Sequence, residues 1–172
     1  YNAVFVGLGA GGDTKSFEGG KRFLAKLKPN APRIYPSNEA VAAAFKSGEI
    51  AIACMWKARA LQWRDSGLPL GFVIPKEGSV PVAFEAAVAK NSRNKDAAWA
   101  YLNAMLDPQG QIAFAEKMGY APTVTNATLP EPLKRVGFSD AEVKLLHAYD
   151  LKGLTEKKAD ILEFWNKEFK AG

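Results

Sequence analysis

Residues 50–55, Ile-Ala-Ile-Ala-Cys-Met, form an apolar run without a charge, and no other stretch constrains the fold of this chain as strongly. The turn-forming residues Ser47-Gly48-Glu49 precede it and Trp56 closes it. A run of this kind, bounded by turn residues, predicts a strand covered on both faces. In open α/β sheets ligands lie beyond the carboxyl ends of such strands, and Trp56 falls at that end. Trp56 is therefore a candidate binding residue; the alternative is a large core side chain.

The flanking segments fit the same scheme. Residues 16–28 carry Phe17, Phe23, Leu24 and Leu27 at helical spacing, and Pro29 and Pro32 end that helix. Arg33-Ile-Tyr-Pro36 reads as a short strand. Ser37 or Asn38 caps a helix over 40–45 that Gly48 closes. A short helix over 58–64 follows the apolar run, and Leu70-Gly-Phe-Val-Ile-Pro75 reads as another buried strand. Helices alternating with strands predict an α/β fold, with a parallel-rich sheet flanked by helices.

After an extended stretch at 80–88 the character changes. Residues 95–106 are amphipathic, with Trp99, Leu102 and Leu106 on one face, and Asp107-Pro108 opens a second helix that Gly119 ends. Ser139-Asp-Ala-Glu142 is a capping box for a helix through His147. A last helix spans 155–169, with Ile161, Leu162, Trp165 and Phe169 facing inward.

The chain has 172 residues, of which 48% are hydrophobic and 24% charged, a globular composition that suits one domain or two small lobes. It opens inside an apolar segment, Tyr1-Asn-Ala-Val-Phe-Val-Gly-Leu8, which points to a piece of a longer protein. The net charge of +5 comes from lysines spread along the sequence rather than a dense run, and the aromatic residues are not interleaved with them. Nucleic acid is therefore not an expected partner.

The residues that carry chemistry are sparse. Gly7-Leu-Gly-Ala-Gly-Gly12 matches the GxGxxG spacing of a dinucleotide loop, but no acidic residue lies between Glu18 and Glu39 to take a ribose hydroxyl. A helix end with a Gly-rich turn is the better account. Cys54 is the single cysteine and His147 the single histidine, so a zinc site has too few soft ligands. Cys54 reads as a small buried hydrophobe and His147 as a surface or half-buried helix residue. No carboxylate spacing argues for an acid–base pair. No cofactor, metal or catalytic residue is expected. What remains is a set of aromatic and charged side chains at strand ends: Trp56 with Lys57 and Arg59, then Phe84 with Glu85, then Tyr120. Such residues suit a small-molecule cleft, though each also has a structural reading.

The order of segments carries a resemblance. Gly11-Gly-Asp13, Ser47-Gly-Glu49 before the run ending in Trp56, and Val73-Ile-Pro-Lys-Glu-Gly78 come first. Asn94-Lys-Asp-Ala-Ala-Trp99, Leu106-Asp-Pro-Gln109, Gly119-Tyr-Ala-Pro-Thr123 and Trp165-Asn-Lys-Glu-Phe-Lys-Ala-Gly172 follow. In this order the chain resembles the C-terminal half of the extracellular solute-binding proteins of ABC transporters, in the group that includes polyamine and iron binders. The resemblance implies a type II periplasmic-binding-protein-like lobe with a helical returning segment. Residues 1–80 and 124–172 would form lobe two, 82–122 would cross into and return from lobe one, and the N-terminal lobe would be absent. It implies a non-enzymatic, periplasmic protein whose partners are a small polar solute and a membrane permease. The ligand-binding set it implies is Trp56, Lys57, Arg59, Phe84, Glu85, Tyr120 and Tyr1. Lys57 and Glu85 depart from the polyamine binders' pattern, which leaves a polyamine-like, amino-acid-derived or anionic solute open. An enzyme on a similar scaffold, or a protein-interaction module, is the alternative.

Overall fold

The computed structural model describes residues 17–148 and 150–170. Its α-helices are α1 (Glu18–Leu27), α2 (Asn38–Ser47), α3 (Lys57–Asp65), α4 (Lys95–Met105), α5 (Pro108–Met118), α6 (Asp140–Val143), α7 (Leu151–Glu156) and α8 (Lys158–Phe164). Short 3-10 turns occupy Lys28–Asn30 and Glu131–Val136, and a π-helical turn, Trp165–Phe169, continues α8.

Local chemistry explains where the main helices start and stop. The Ser37 hydroxyl accepts from the Ala40 N–H at 3.2 Å and opens α2, satisfying one of the amides that a helix start leaves unpaired. Gly48, at φ 75°, closes α2 by donating to the Ala44 and Phe45 carbonyls. Asp107 opens α5 by accepting from the Gly110 N–H at 2.9 Å, with Pro108 in the first turn, and Gly119 ends it at φ 72°.

The described residues do not adopt the expected α/β architecture. Among the described residues there is no strand and no sheet; the β-type pairing is a single parallel bridge between Ser79 and Leu146. Residues 50–55 lack regular structure, and 51–54 are exposed while Ile50 and Met55 are half-buried: Ile52 is 88% exposed and Cys54, expected to be buried, is exposed. Val73, in the second expected strand, is likewise exposed, while its neighbour Ile74 is buried. An apolar run records a preference for burial, but a strand exists only where a neighbour exchanges N–H and C=O groups with it. The type II lobe with a parallel-rich sheet is therefore corrected to helices joined by irregular and extended segments. The helical pair expected at 95–118 is present as α4 and α5.

The described residues form two compact units. Residues 17–34, 73–82 and 140–170 make one; 35–72 with 83–139 make the other. The first is built on Phe17 and Leu24 from the α1 region and Phe164 and Phe169 from the C-terminal helices, with Leu27, Ile161 and Trp165 packed around them. The Phe17 and Phe164 rings meet edge to face, 5.8 Å apart at 82°, the favoured geometry for aromatic quadrupoles. Lys28 Nζ donates to the Glu168 carbonyl at 2.8 Å at the exposed edge of this unit. The single helix expected over 155–169 is broken into α7, α8 and the π turn, and Leu162, expected inward, is exposed. The helix expected through His147 stops at Val143.

The second unit has a smaller core of Leu61 from α3, Ala115 from α5 and Val136 from the 3-10 turn, with Leu129 against it. On α4 the expected apolar face is largely uncovered, since Trp99 and Leu106 are exposed and Leu102 is half-buried.

Candidate functional site

Six of the seven ligand-binding candidates lie in the second unit; Tyr1 falls outside the described residues, as does the Gly7–Gly12 pattern. The six occupy three places in that unit.

The first place is the start of α3. Trp56 has extended backbone, φ −62° and ψ 135°, and stands at the N-cap, 45% exposed. Lys57 follows at the first helical position and turns inward. Its ammonium donates to the Gly137 carbonyl at 2.5 Å and lies 4.4 Å from the Phe138 ring centroid and 5.8 Å from that of Phe72. A cation facing two aromatic rings gains from both quadrupoles, so the charge is committed to holding the chain after the 3-10 turn. Arg59 is half-buried, and its Nη1 donates to Gln62 Oε1 at 2.9 Å. Gln62 in turn donates through Nε2 to the Met118 carbonyl at 3.0 Å. Lys57 therefore turns into the unit, whereas Arg59 bonds along α3 to the next turn.

The second place is the extended stretch before α4. Phe84 is 74% exposed and Glu85 is also exposed. The third is the turn after α5, where Tyr120 meets Phe84 edge to face, 5.3 Å between centroids at 64°. On its other side Tyr120 stacks on Phe114 of α5, 5.9 Å away at 16°. The result is a row of three rings, Phe84–Tyr120–Phe114, of which the outer two are open to solvent. Flat apolar faces with one phenolic hydroxyl can receive an alkyl chain or planar group, or face a cation.

The residues that the sequence did not single out are Phe114, Gln62 and Gln111. Phe114 reads as one apolar position in a helix, and only the packing of Tyr120 gives it a partner. The two glutamines act through contacts 56 and 12 residues apart in sequence, which no local pattern signals. Among the described residues no group of three or more His, Cys, Asp or Glu side chains could hold a metal ion, and no helix is long and apolar enough to cross a membrane.

Comparison with known proteins fits the segment order described above. Residues 7–142 match the family model of bacterial extracellular solute-binding proteins. The chain belongs to this family, whose members work outside the cytoplasm. Over 108 residues it is 33% identical to the spermidine/putrescine-binding periplasmic protein of Salmonella typhimurium and 32% identical to that of Escherichia coli. Each alignment covers 63% of this chain and 30% of the relative. An uncharacterized protein of Haemophilus influenzae is 26% identical over 172 residues, 99% of this chain and 48% of that protein. The chain thus spans half or less of the curated relatives it matches. No solved structure matches it.

Proposed function

We propose that this chain is part of the substrate-binding component of an ABC importer, a periplasmic protein that captures a small polar solute in a cleft between two lobes and delivers it to a membrane permease. The family match over 7–142 is the observation that carries this reading. The reading is of a binding protein rather than an enzyme: closure around the solute would shift a hinge equilibrium, and the permease would recognise the closed form. In the whole protein, residues 1–80 and 124–172 would belong to lobe two and 82–122 would cross into lobe one. In this chain residues 35–72 group with 83–139, so that division is a property to be tested in the two-lobe protein.

Trp56, Phe84 and Tyr120 are proposed as the solute's aromatic contacts, with Glu85 beside them; Tyr1 is proposed as a further contact. Lys57 and Arg59 remain proposed for the same end of the site, where an anionic or zwitterionic solute would draw on them. Their engagement with Gly137 and Gln62 favours a different weighting. With the Lys57 ammonium engaged by Gly137, Phe138 and Phe72, an amine-bearing solute facing the aromatic row is the better fit, in keeping with the names of the two polyamine-binding relatives.

The test is a thermal-shift titration of the protein in a form containing both lobes, against putrescine, spermidine, amino acids, sugars, and small carboxylate and phosphate anions. A solute that binds only the folded state at a hundredfold excess over its Kd adds about 2.7 kcal/mol of stability. One responding class, lost on Tyr120→Ala, supports the reading and names the solute. No response across the panel refutes it.

A further inference from the structure

We infer that Gln111 is the positioning residue for Tyr120: its side-chain amide fixes the turn that presents the ring to Phe84. This rests on the proposal that Tyr120 contacts solute, but its structural part stands alone. Gln111 lies in the first turns of α5, where its backbone N–H donates to the Asp107 carbonyl. Its side chain uses both ends of the amide. Nε2 donates to the Met105 carbonyl at 2.7 Å, satisfying one of the carbonyls that the end of α4 leaves unpaired. Oε1 accepts from the Thr123 N–H at 2.9 Å, with the Thr123 hydroxyl at 3.4 Å.

Tyr120 is thereby held from both sides across a very short span. On the upstream side, Gly119 ends α5 with its N–H on the Ala115 carbonyl, and a Cβ placed there would stand 3.4 Å from the Ala58 Cα and carbonyl oxygen. The preceding Met118 carbonyl is held by Gln62. On the downstream side stands Thr123, held by Gln111. Only Tyr120, Ala121 and Pro122 lie between, and Pro122 has a fixed φ while restricting Ala121 to extended backbone. With both ends anchored and the middle stiff, the Tyr120 backbone, and with it the Cα–Cβ direction that aims the ring between Phe84 and Phe114, follows from where Thr123 is held. A primary amide suits this position because it donates to one carbonyl and accepts from one N–H at the same time.

The experiment compares Gln111→Leu, which keeps the bulk and loses both bonds, with Gln111→Glu, which keeps an acceptor for Thr123 and loses the donor to Met105. The readouts are the nuclear Overhauser contact between the Tyr120 and Phe84 rings in unliganded protein, the melting temperature, and putrescine and spermidine affinity in the two-lobe protein. The expected result is that Leu abolishes the ring contact and weakens binding of the responding amine about tenfold, a loss comparable to one charge-free hydrogen-bonded anchor. Glu preserves the ring contact while lowering the melting temperature. A ring contact that survives in the Leu variant, or that is lost equally in both, overturns the inference. Loss of the ring contact in the Leu variant with unchanged amine affinity upholds the positioning role and instead removes Tyr120 from the solute site.

Discussion

The imidazole of His147 lies against the backbone of Gly78, so that a Cβ on Gly78 would overlap the ring and approach the Leu145 carbonyl oxygen to 2.8 Å. Gly78 is buried and has φ 98°, which side-chain-bearing residues rarely adopt. On either side of this contact Ser79 donates to Leu145 and accepts from the His147 N–H, both at 2.8 Å. Gly78→Ala is therefore expected to destabilise the fold by about 2–4 kcal/mol, through backbone strain and overlap together. Adding His147→Ala relieves the overlap and leaves the strain, so the double variant should recover part of the loss in urea denaturation.

Lys57 gives a second expectation. Lys57→Met retains the apolar stem and removes the ammonium that bonds the Gly137 carbonyl and faces Phe138 and Phe72. The charged hydrogen bond and the cation–π contacts together argue for a loss of about 2 kcal/mol. The denaturation midpoint measures this. An amine solute's affinity should change little, whereas an anionic solute's affinity should fall sharply.

At Trp56 the balance between stability and binding reverses. Trp56 is 45% exposed at the N-cap of α3, so Trp56→Ala should cost about 1–2 kcal/mol of stability, less than the ~3–5 kcal/mol lost at a fully buried Trp. If Trp56 stacks on solute, the same change weakens binding by about tenfold or more, as loss of a central aromatic anchor does. Calorimetric titration separates the two effects.

The start of α2 is expected to respond to acid. The Glu39 carboxyl is held below its ordinary value of 4.5, chiefly by a bond from its own backbone N–H and then by the Ser37 hydroxyl. Its folded-state value lies below its unfolded one, so its contribution is present above pH 4.5 and fades as pH falls through the lower folded value. Ser37→Ala should cost about 1 kcal/mol at neutral pH and reduce that acid dependence without abolishing it, since the Glu39 backbone N–H remains. Both are read from melting curves taken at pH 3 to 7, on the order of the usual carboxylate range.

What was legible in the sequence was local. Ser37, Gly48, Asp107-Pro108 and Gly119 marked the ends of α2 and α5 because capping is settled within four residues of chain. The family was legible too, since the order of its segments survives in the sequence. The sheet was misread because residues 50–55 and 70–75 record apolarity and not a pairing partner, and pairing is decided elsewhere in the fold. Of the site, the residue types Phe84 and Tyr120 were legible and their contact was not. Phe114, Gln62 and Gln111 were invisible because their roles exist only after α3, α4 and α5 have packed.

The exposed stretch from Ala51 to Cys54 also sets a clock on the molecule. Amides in the middle of α2 and α3 exchange with solvent only when those helices open, whereas an extended segment outside any ladder has no such barrier. Deuterium should therefore enter Ile52, Ala53 and Cys54 within the earliest time points, while the flanking helices remain dark. Any partner that lays a strand along this run would be recorded as a sudden slowing at those amides.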